Sequence, residues 1–446
     1  MSGAVHVVGA GLAGLAAAVA LAAEGCRVRL YEASAHAGGR CRSYFDDELG
    51  CRVDNGNHLL LAGNRRALDY LDRIGARDTV EGPEDTVFAF IDAQTGQRWS
   101  VRPNRGAVPW WIFRRARRVP YTRAADYLGA LALRWVGPTA PVTEALDRRY
   151  RLFRRLWEPL AVAALNTAVE RASARLFWRV LVESLGRGGA ACRPLVPREG
   201  LSETFVDPAL AVLRARGAEI RFAARLRAFN FSPDHVSGLV FEADAIEISR
   251  DDRVILAVPA AVAARLVPSL IVPDAFSPIV NAHFRCEAPP GSPLFVGVVD
   301  GAAQWIFRKH GVLSVTVSAA DRVIDLPAET LREMLWRDVA MAYRLPAFPV
   351  PPARIVKERR ATFLASAEQL RRRPGVTTRW QQLLLAGDYT DTGLPATIEG
   401  AIGSGFAAAR GALARGHAKP RSAADGGNIV TETTTGTDKE PQRILS

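Results

Sequence analysis

The glycines Gly9, Gly11 and Gly14 form a GxGxxG pattern near the start of the chain. A β-branched run over residues 5–8 precedes it, and an Ala/Leu-rich helical stretch follows it as far as Ala23. In such a strand–turn–helix unit the glycines permit the tight turn, the approach of the backbone to a pyrophosphate, and the close packing of helix on strand. The pattern therefore predicts a dinucleotide-binding turn.

Glu32 ends the second predicted strand, RVRLYE. An acid at this place accepts hydrogen bonds from a ribose and disfavours a 2′-phosphate, which argues against NADP and leaves FAD or NAD. Gly38, Gly39 and Arg40 follow, where a loop would return across the pyrophosphate. A nicotinamide enzyme has no general need for this loop, so we expect FAD. The alternative is an ordinary surface loop that carries an arginine.

A third element lies far downstream in the stretch LLLAGDYTDTGLPATIEGA. It predicts a strand over Leu383–Ala386, a turn at Gly387 and Asp388, and a helix that begins near Pro395. The carboxylate of Asp388 could accept from ribityl hydroxyls, and the helix N-terminus could stabilise negative charge on a reduced flavin ring. The alternative is a generic strand–helix connection with ordinary caps.

Together these three elements resemble the flavin-containing amine oxidoreductase superfamily, which includes amine oxidases, protoporphyrinogen oxidase and the phytoene-desaturase group. The resemblance implies an α/β fold in which a discontinuous, Rossmann-like FAD-binding domain carries a mixed α+β substrate domain. It also implies which residues contact FAD. Those at the ADP half would be Gly9, Gly11, Gly14, Glu32, Gly39, Arg40 and, at adenine, Leu226. Those beside the ribityl chain and isoalloxazine would be Gly387, Asp388, Thr397 and Ile398.

The same resemblance divides the chain into segments. We expect FAD-binding segments at 1–75, 197–265 and 378–416. We expect substrate-domain segments at 76–196, mainly helical, and at 266–377, rich in strands. Residues 417–446 are polar and without periodicity, which predicts a disordered tail.

Three longer stretches, among them DNGNHLLLAGN and TGLPATIEGA, are similar to one branch, the hydroxysqualene dehydroxylases of bacterial hopanoid pathways. This similarity implies a hydrophobic isoprenoid substrate and reductive conversion of hydroxysqualene to squalene by hydride from reduced FAD. The alternatives are a carotenoid-type desaturase and, more remotely, an amine oxidase. Amine oxidases usually place a lysine near flavin N5, and only Lys309 and Lys357 are central in this sequence. A non-catalytic scaffold that hands on substrate is a further alternative.

His58, in VDNGNHLLL, is the candidate catalytic acid, with Asp54 and Asn57 close to it in sequence. The alternative is that Asp54 and Asn57 form a turn and that His58 is a polar residue beside the cofactor. The sequence has no nucleophile triad, no HExxH and no metal-ligand spacing. Nothing in the sequence indicates which electron donor reduces the flavin.

The chain of 446 residues carries a formal charge of +12. This excess of arginine suggests an anionic partner or a coding bias towards arginine. Residues 93–125 contain eight arginines and no acid, and include WWIFRRARR, which suits either a membrane headgroup boundary or a core segment with solvated arginines. Specific nucleic-acid binding is not expected, because no recognition fold accompanies the basic stretch.

The apolar start of the chain lacks a positive n-region, so we expect no signal peptide. No uninterrupted apolar run is long enough to span a bilayer. We therefore expect a cytoplasmic protein that contacts an anionic membrane peripherally. The five cysteines are odd in number and contain no CxxC, which predicts free, buried or partly buried thiols.

Overall fold

A computed structural model describes residues 3–309 and 311–416. The strands within these residues are β1 (Val5–Val8), β2 (Val28–Tyr31), β3 (Ser43–Asp46), β4 (Cys51–Asp54), β5 (Leu60–Leu61), β6 (Val80–Glu81), β7 (Phe88–Asp92), β8 (Arg98–Val101), β9 (Pro194–Pro197), β10 (Glu219–Arg221), β11 (Leu226–Phe231), β12 (Val236–Phe241), β13 (Ala245–Glu247), β14 (Arg253–Leu256), β15 (Phe276–Arg285), β16 (Phe295–Val299), β17 (Trp305–Lys309), β18 (Val312–Ser318), β19 (Ala353–Phe363) and β20 (Leu383–Leu385). The helices are α1 (Leu12–Ala23), α2 (Arg65–Arg73), α3 (Ala124–Leu128), α4 (Val142–Ala145), α5 (Glu158–Leu165), α6 (Ala174–Glu183), α7 (Gly189–Cys192), α8 (Asp207–Ala215), α9 (Ala260–Leu266), α10 (Ala328–Tyr343), α11 (Ala367–Arg371) and α12 (Ile398–Gly416).

A parallel five-stranded sheet holds the glycine turn, with the strand order β10-β2-β1-β14-β20. Helices α1, α8 and α12 pack on one face, and the small sheet β11-β12-β13 covers the other. Parallel strands need cover on both faces, which explains the nearly unbroken apolar sequences of β1, β14 and β20. The predicted α/β, Rossmann-like fold is confirmed.

Helices α1 and α12 lie unusually close together because small residues face each other. A Cβ at Gly405 would lie 2.1 Å from the Ala13 carbonyl oxygen, so the backbones can approach only with glycine there. Ala16, Ala17 and Ala408 are fully buried in the same interface. The C-terminal helix is thereby fixed against the helix that carries the glycine turn.

A second, seven-stranded sheet has the order β19-β15-β18-β17-β16-β7-β8. Helix α10 packs on one face, and the helical part formed by α3–α6 packs against the other near β7, β8, β16 and β17. The α+β character expected of the substrate domain is present. Strands β7 and β8 come from the segment predicted to be mainly helical, yet they join this sheet. The segment boundaries themselves stay a prediction.

Local expectations agree in part with these elements. Helix α1 ends at Ala23 as predicted, whereas α12 begins at Ile398 rather than near Pro395. All five cysteines are free, and each is buried or partly buried. The tail predicted for residues 417–446 lies outside the described residues.

Candidate functional site

The turn between β1 and α1 has the shape that its glycines predict. Gly9 has a φ of +106°, and a Cβ there would lie 2.4 Å from the Ala257 carbonyl oxygen. A Cβ at Gly14 would lie 1.8 Å from the Gly9 oxygen. A Cβ at Gly11 would meet no heavy atom of the described residues within 4 Å, so open space lies in front of this residue.

The N-terminus of α1 faces this turn without a side-chain cap. Gly11 is the N-cap residue, and the first turn contains no acidic side chain. The first N–H groups of a helix have no partner within it, and the helix dipole makes this end positive. This end of α1 is therefore suited to a phosphate group.

Glu32 follows β2 directly, and its carboxylate organises the neighbouring backbone. Its Oε2 accepts from the Ala10 N–H at 2.8 Å, and its Oε1 accepts from the Ser34 N–H at 2.9 Å. The Gly38 N–H in turn donates to the Ala10 carbonyl at 2.8 Å. The second glycine pair therefore lies against the first glycine turn. A carboxylate accepts about four hydrogen bonds, so Glu32 keeps capacity for a ribose.

Arg40 brings the GGR segment to the C-terminal GD segment. Its Nη2 lies 2.7 Å from the Asp388 Oδ2, and its Nη1 donates to the Ala361 carbonyl at 2.5 Å. The attraction of Asp388 raises the pKa of the Arg40 guanidinium. The Arg40 side chain is 47% exposed, so this pair lies at a surface that a ligand can reach.

The loop between β20 and α12 is held by Arg373, a residue that the sequence analysis missed. Its guanidinium donates to the Leu394 carbonyl at 2.8 Å, to the Asp388 carbonyl at 3.1 Å, and to the Thr390 carbonyl. These bonds connect the loop before α12 to the segment that follows α11. Burial lowers the pKa of Arg373 to about 10, so it still holds its proton at neutral pH. No sequence pattern singles out this arginine among so many.

At the start of α12, Thr397 acts as a cap: its Oγ1 accepts from the Gly400 N–H at 3.1 Å, and Ile398 is buried. Leu226 begins β11 and is also buried. The Ala224 N–H, two residues before it, donates to the Glu32 carbonyl at 2.8 Å. Each predicted FAD contact therefore lies on one of the segments that meet at the glycine turn or at the Arg40–Asp388 pair.

Asp54, at the end of β4, is 4% exposed and forms a buried ion pair with Lys309 of β17 at 2.5 Å. Its Oδ1 also accepts from Ser43 Oγ at 2.6 Å and from the Leu201 N–H at 2.9 Å. Burial opposes ionisation of Asp54, but Lys309 and these donors outweigh it and lower the pKa. Asp54 is thus a fixed carboxylate four residues before His58.

His58 is partly buried and has a pKa lowered to about 4, chiefly by burial, against a smaller opposing effect of Asp54. At neutral pH it is therefore a neutral imidazole. A neutral imidazole can donate one hydrogen bond, but it does not carry the extra proton of an imidazolium. The structure thus limits how His58 could assist a leaving hydroxyl.

Polar side chains of the seven-stranded sheet face the segment around His58. Asn57 Nδ2 donates to Thr316 Oγ1 at 3.0 Å, which donates to Asn281 Oδ1 at 2.9 Å. On the same strands, His283 Nδ1 lies 2.5 Å from Ser314 Oγ. No sequence motif indicated this row, although Asn281 and His283 are two residues apart on β15 and so lie on one face of the strand.

Comparison with known proteins identifies the family. The model of the flavin containing amine oxidoreductase family matches residues 12–413. The chain belongs to this family. Its relatives include the hydroxysqualene dehydroxylase of Rhodopseudomonas palustris, 46% identical over 94% of this chain and 100% of the relative. The corresponding protein of Zymomonas mobilis is 43% identical over 92% of this chain and 98% of the relative.

Other relatives are more distant. A probable zeta-carotene desaturase of Synechococcus elongatus is 25% identical over 59% of this chain and 60% of its own length. Among solved structures, a putrescine oxidase bound to putrescine superimposes with a TM-score of 0.69 at 17% identity. That match covers 92% of this chain and 99% of the other, and it shows the shared fold.

Membership of this family makes FAD the cofactor, and the residues present fit it. The open space before Gly11, the uncapped N-terminus of α1 and the remaining acceptor capacity of Glu32 match the phosphate and ribose of an ADP group.

In the basic segment, some of the large apolar side chains are buried and others are exposed. Trp111 is 4% exposed and Ile112 is equally buried, so these two side chains belong to the core of the helical part. For these two side chains the core alternative is correct. Trp110 and Phe113 are exposed instead, because the short 3₁₀ segment Trp110–Phe113 directs neighbouring side chains to opposite sides. Within the described residues, no helix has the length and apolar character needed to cross a bilayer.

Proposed function

We propose that this chain converts hydroxysqualene to squalene by reductive removal of the hydroxyl group. The observation that carries the proposal is the identity of 43–46% with hydroxysqualene dehydroxylases over almost their whole length. When bound, reduced FAD supplies the hydride from N5, which takes the place of the hydroxyl. One proton is also consumed, so that the oxygen leaves as water.

The chain's own residues would bind the cofactor in two groups. Gly9, Gly11, Gly14, Glu32, Gly39, Arg40 and Leu226 would hold the ADP half, and Gly387, Asp388, Thr397 and Ile398 would lie beside the ribityl chain and ring. The uncapped N-terminus of α1 would stabilise the pyrophosphate. The Arg40–Asp388 pair would keep the two groups in register, since it joins their segments directly.

His58 is the proposed donor of a hydrogen bond to the departing hydroxyl. Its neutral form at pH 7 suits this limited role, because an alcohol oxygen accepts from a neutral N–H. The buried Asp54–Lys309 pair and the Asn57–Thr316–Asn281 row would fix the backbone on either side of it.

The proposal is tested under anaerobic conditions. The purified holoenzyme is reduced, hydroxysqualene is added, and the flavin spectrum is followed together with product analysis. Reoxidation of the flavin with formation of squalene supports the proposal. A flavin that stays reduced, in an enzyme whose oxidised form is bleached by a carotenoid precursor, would assign the chain to desaturation instead. Bleaching by an amine would indicate an amine oxidase, and no response to any substrate would indicate a scaffold.

The proposal includes peripheral contact with an anionic membrane, which supplies the hydrophobic substrate. Seven large apolar side chains between residues 108 and 135 are exposed, and we call this set the apolar patch: Val108, Trp110, Phe113, Tyr121, Leu128, Leu131 and Trp135. Arginines stack on exposed rings there: the Arg134 guanidinium lies 4.9 Å from the Trp135 ring centre. Exposed aromatic rings with adjacent cations are typical of a headgroup boundary.

A further inference from the structure

Arginine side chains line a groove between α2, α6 and the loop that precedes α12. Its volume is about 620 Å³. The arginines that line it are Arg65, Arg66, Arg134, Arg175, Arg179 and Arg187. Arg175 and Arg179 are one turn apart on α6 and so lie on the same face of this helix.

The positive charge of this groove is not balanced by its carboxylates, Glu183 and Glu399. Glu183 is paired with Arg187 at 2.5 Å. Glu399 accepts the backbone N–H groups of Arg66 and Ala67 at the start of α2, at 3.1 and 2.8 Å. Among the described residues, Arg65 and Arg175 form no ion pair. Several guanidinium groups therefore remain available to an anion, and guanidinium is well matched to phosphate oxygens.

The groove adjoins the apolar patch. The 3₁₀ segment Gly129–Arg134 contributes Leu133 and Arg134 to the groove wall. Leu131 and Trp135, on and directly after the same segment, are exposed members of the patch. One short segment thus joins a cationic recess to an exposed apolar surface, an arrangement that is complementary to an anionic bilayer.

We propose that the groove binds the phosphate group of an anionic phospholipid while the apolar patch enters the headgroup–acyl boundary. This rests on the membrane contact in the proposed function and adds the site that recognises the lipid. The loop 392–394 lines the same groove and leads to α12. Docking in this orientation would place that loop at the bilayer.

The test uses FAD-loaded enzyme and vesicles of phosphatidylcholine alone or with phosphatidylglycerol, at about 0.1 M salt. The groove variant is Arg65→Gln/Arg175→Gln. Its matched control is Arg265→Gln/Arg337→Gln, which removes two exposed arginines of α9 and α10 outside the groove. The patch variant is Phe113→Ser/Trp135→Ser. Vesicle binding, flavin content and turnover of detergent-dispersed substrate are measured for each.

Each arginine near an anionic bilayer strengthens binding roughly fivefold, so the groove variant, which lacks two, should bind phosphatidylglycerol vesicles about 25-fold more weakly. Its binding to phosphatidylcholine, its flavin content and its turnover should not change. The patch variant should lose binding to both vesicle types; if it does not, the membrane contact itself is wrong.

Three results would overturn the lipid site while leaving the patch intact. An equal loss in the control pair would show that only net charge matters. Loss of FAD from the groove variant would assign the arginines to the cofactor. Competition by millimolar inorganic phosphate at constant ionic strength would indicate a site for a soluble phosphate compound.

Discussion

Lys309 Nζ lies 2.5 Å from the Oδ2 of Asp54, and this pair joins the seven-stranded sheet to the segment that leads to His58. The side chains are 22% and 4% exposed. Removal of one partner leaves a buried charge without compensation, which costs about 3–5 kcal/mol. We expect Lys309→Met to lower the free energy of unfolding by about this amount, as measured by denaturant titration.

The control is Lys357→Met, since the one hydrogen bond that Lys357 donates within the described residues is to the Leu326 carbonyl. Lys357→Met should lower the free energy of unfolding by about 1–2 kcal/mol, the net contribution of a single hydrogen bond. The double variant Lys309→Met/Asp54→Asn should recover part of the loss. An equal loss of unfolding free energy in the two lysine variants would show that the Asp54–Lys309 pair contributes no more than a single hydrogen bond.

Acid should destabilise the protein through histidines whose pKa is lowered in the folded state. Burial lowers the pKa of His58 to about 4 and that of His283 to about 3, below the ordinary value of 6.5. Between these values the unfolded chain binds more protons than the folded one, so stability falls as the pH falls. The slope is at most about 1.4 kcal/mol per pH unit for each histidine.

Thermal unfolding between pH 7 and pH 4 measures this slope. His58→Gln should flatten it, whereas His235→Gln, on the turn between β11 and β12, should not. The lowered pKa of Asp54 acts in the same direction but only in stronger acid, because its contribution is complete above the unfolded pKa of an aspartate. An unchanged slope in the His58 variant would show that the folded protein does not lower the pKa of this imidazole.

Substitution of Glu32 should weaken FAD binding. In Glu32→Gln one carboxylate oxygen becomes an NH₂ group that faces the Ala10 or the Ser34 N–H, and the ribose loses a charged acceptor. Hydrogen bonds to charged groups contribute about 1.5–3 kcal/mol, so the Kd of FAD should rise about 10- to 100-fold. Equilibrium dialysis with flavin absorbance measures it. Glu24→Gln, at the exposed end of α1, is the control, and an equal Kd in both variants would contradict the ribose contact.

His58→Ala should slow turnover without loss of flavin. A fixed hydrogen-bond donor aimed at the oxygen that gains charge in the transition state contributes about 100-fold or more, so the rate constant of flavin reoxidation should fall by about that factor in an anaerobic single turnover. His235→Ala is the matched control. Full activity in His58→Ala would leave His58 as a polar residue beside the cofactor, the alternative that the sequence also allowed.

Gly405→Ala should destabilise the fold. The added methyl would lie 2.1 Å from the Ala13 carbonyl oxygen, so α12 must move away from α1. Overpacking of this kind costs about 1–3 kcal/mol. Gly375→Ala is the control, because a Cβ there meets no heavy atom of the described residues within 4 Å. Equal melting temperatures of the two variants would show that the helix contact can relax.

The sequence predicted those elements whose backbone geometry only a few residue types can adopt. The glycine turn, the end of α1 at Ala23 and the placement of Glu32 after β2 follow from backbone geometry that only certain residues permit. The family resemblance implied that the GGR and GD segments lie close together. The Arg40–Asp388 ion pair is the contact that joins them.

Long-range contacts could not be predicted in the same way. Arg373 donates to carbonyls of the loop before α12, and nothing in the sequence around Arg373 indicates these bonds. Trp111 and Phe113 are both apolar in one short run, yet one is in the core and the other in solvent, because tertiary packing decides which side each faces. The polar row at Asn281 and His283 gave a weak signal, since two polar residues in a strand have many explanations.

The parallel sheet has a consequence for synthesis on the ribosome. Its outer strand β20 and the helix α12 that covers α1 are among the last described parts of the chain to be made. Until they emerge, the free edge of β14 and the alanine-rich side of α1 are uncovered, and both are surfaces on which nascent chains aggregate. A chain whose translation stops before β20 and α12 would thus be a substrate for chaperones and proteases. It would also lack the C-terminal segment that is proposed to bind the flavin.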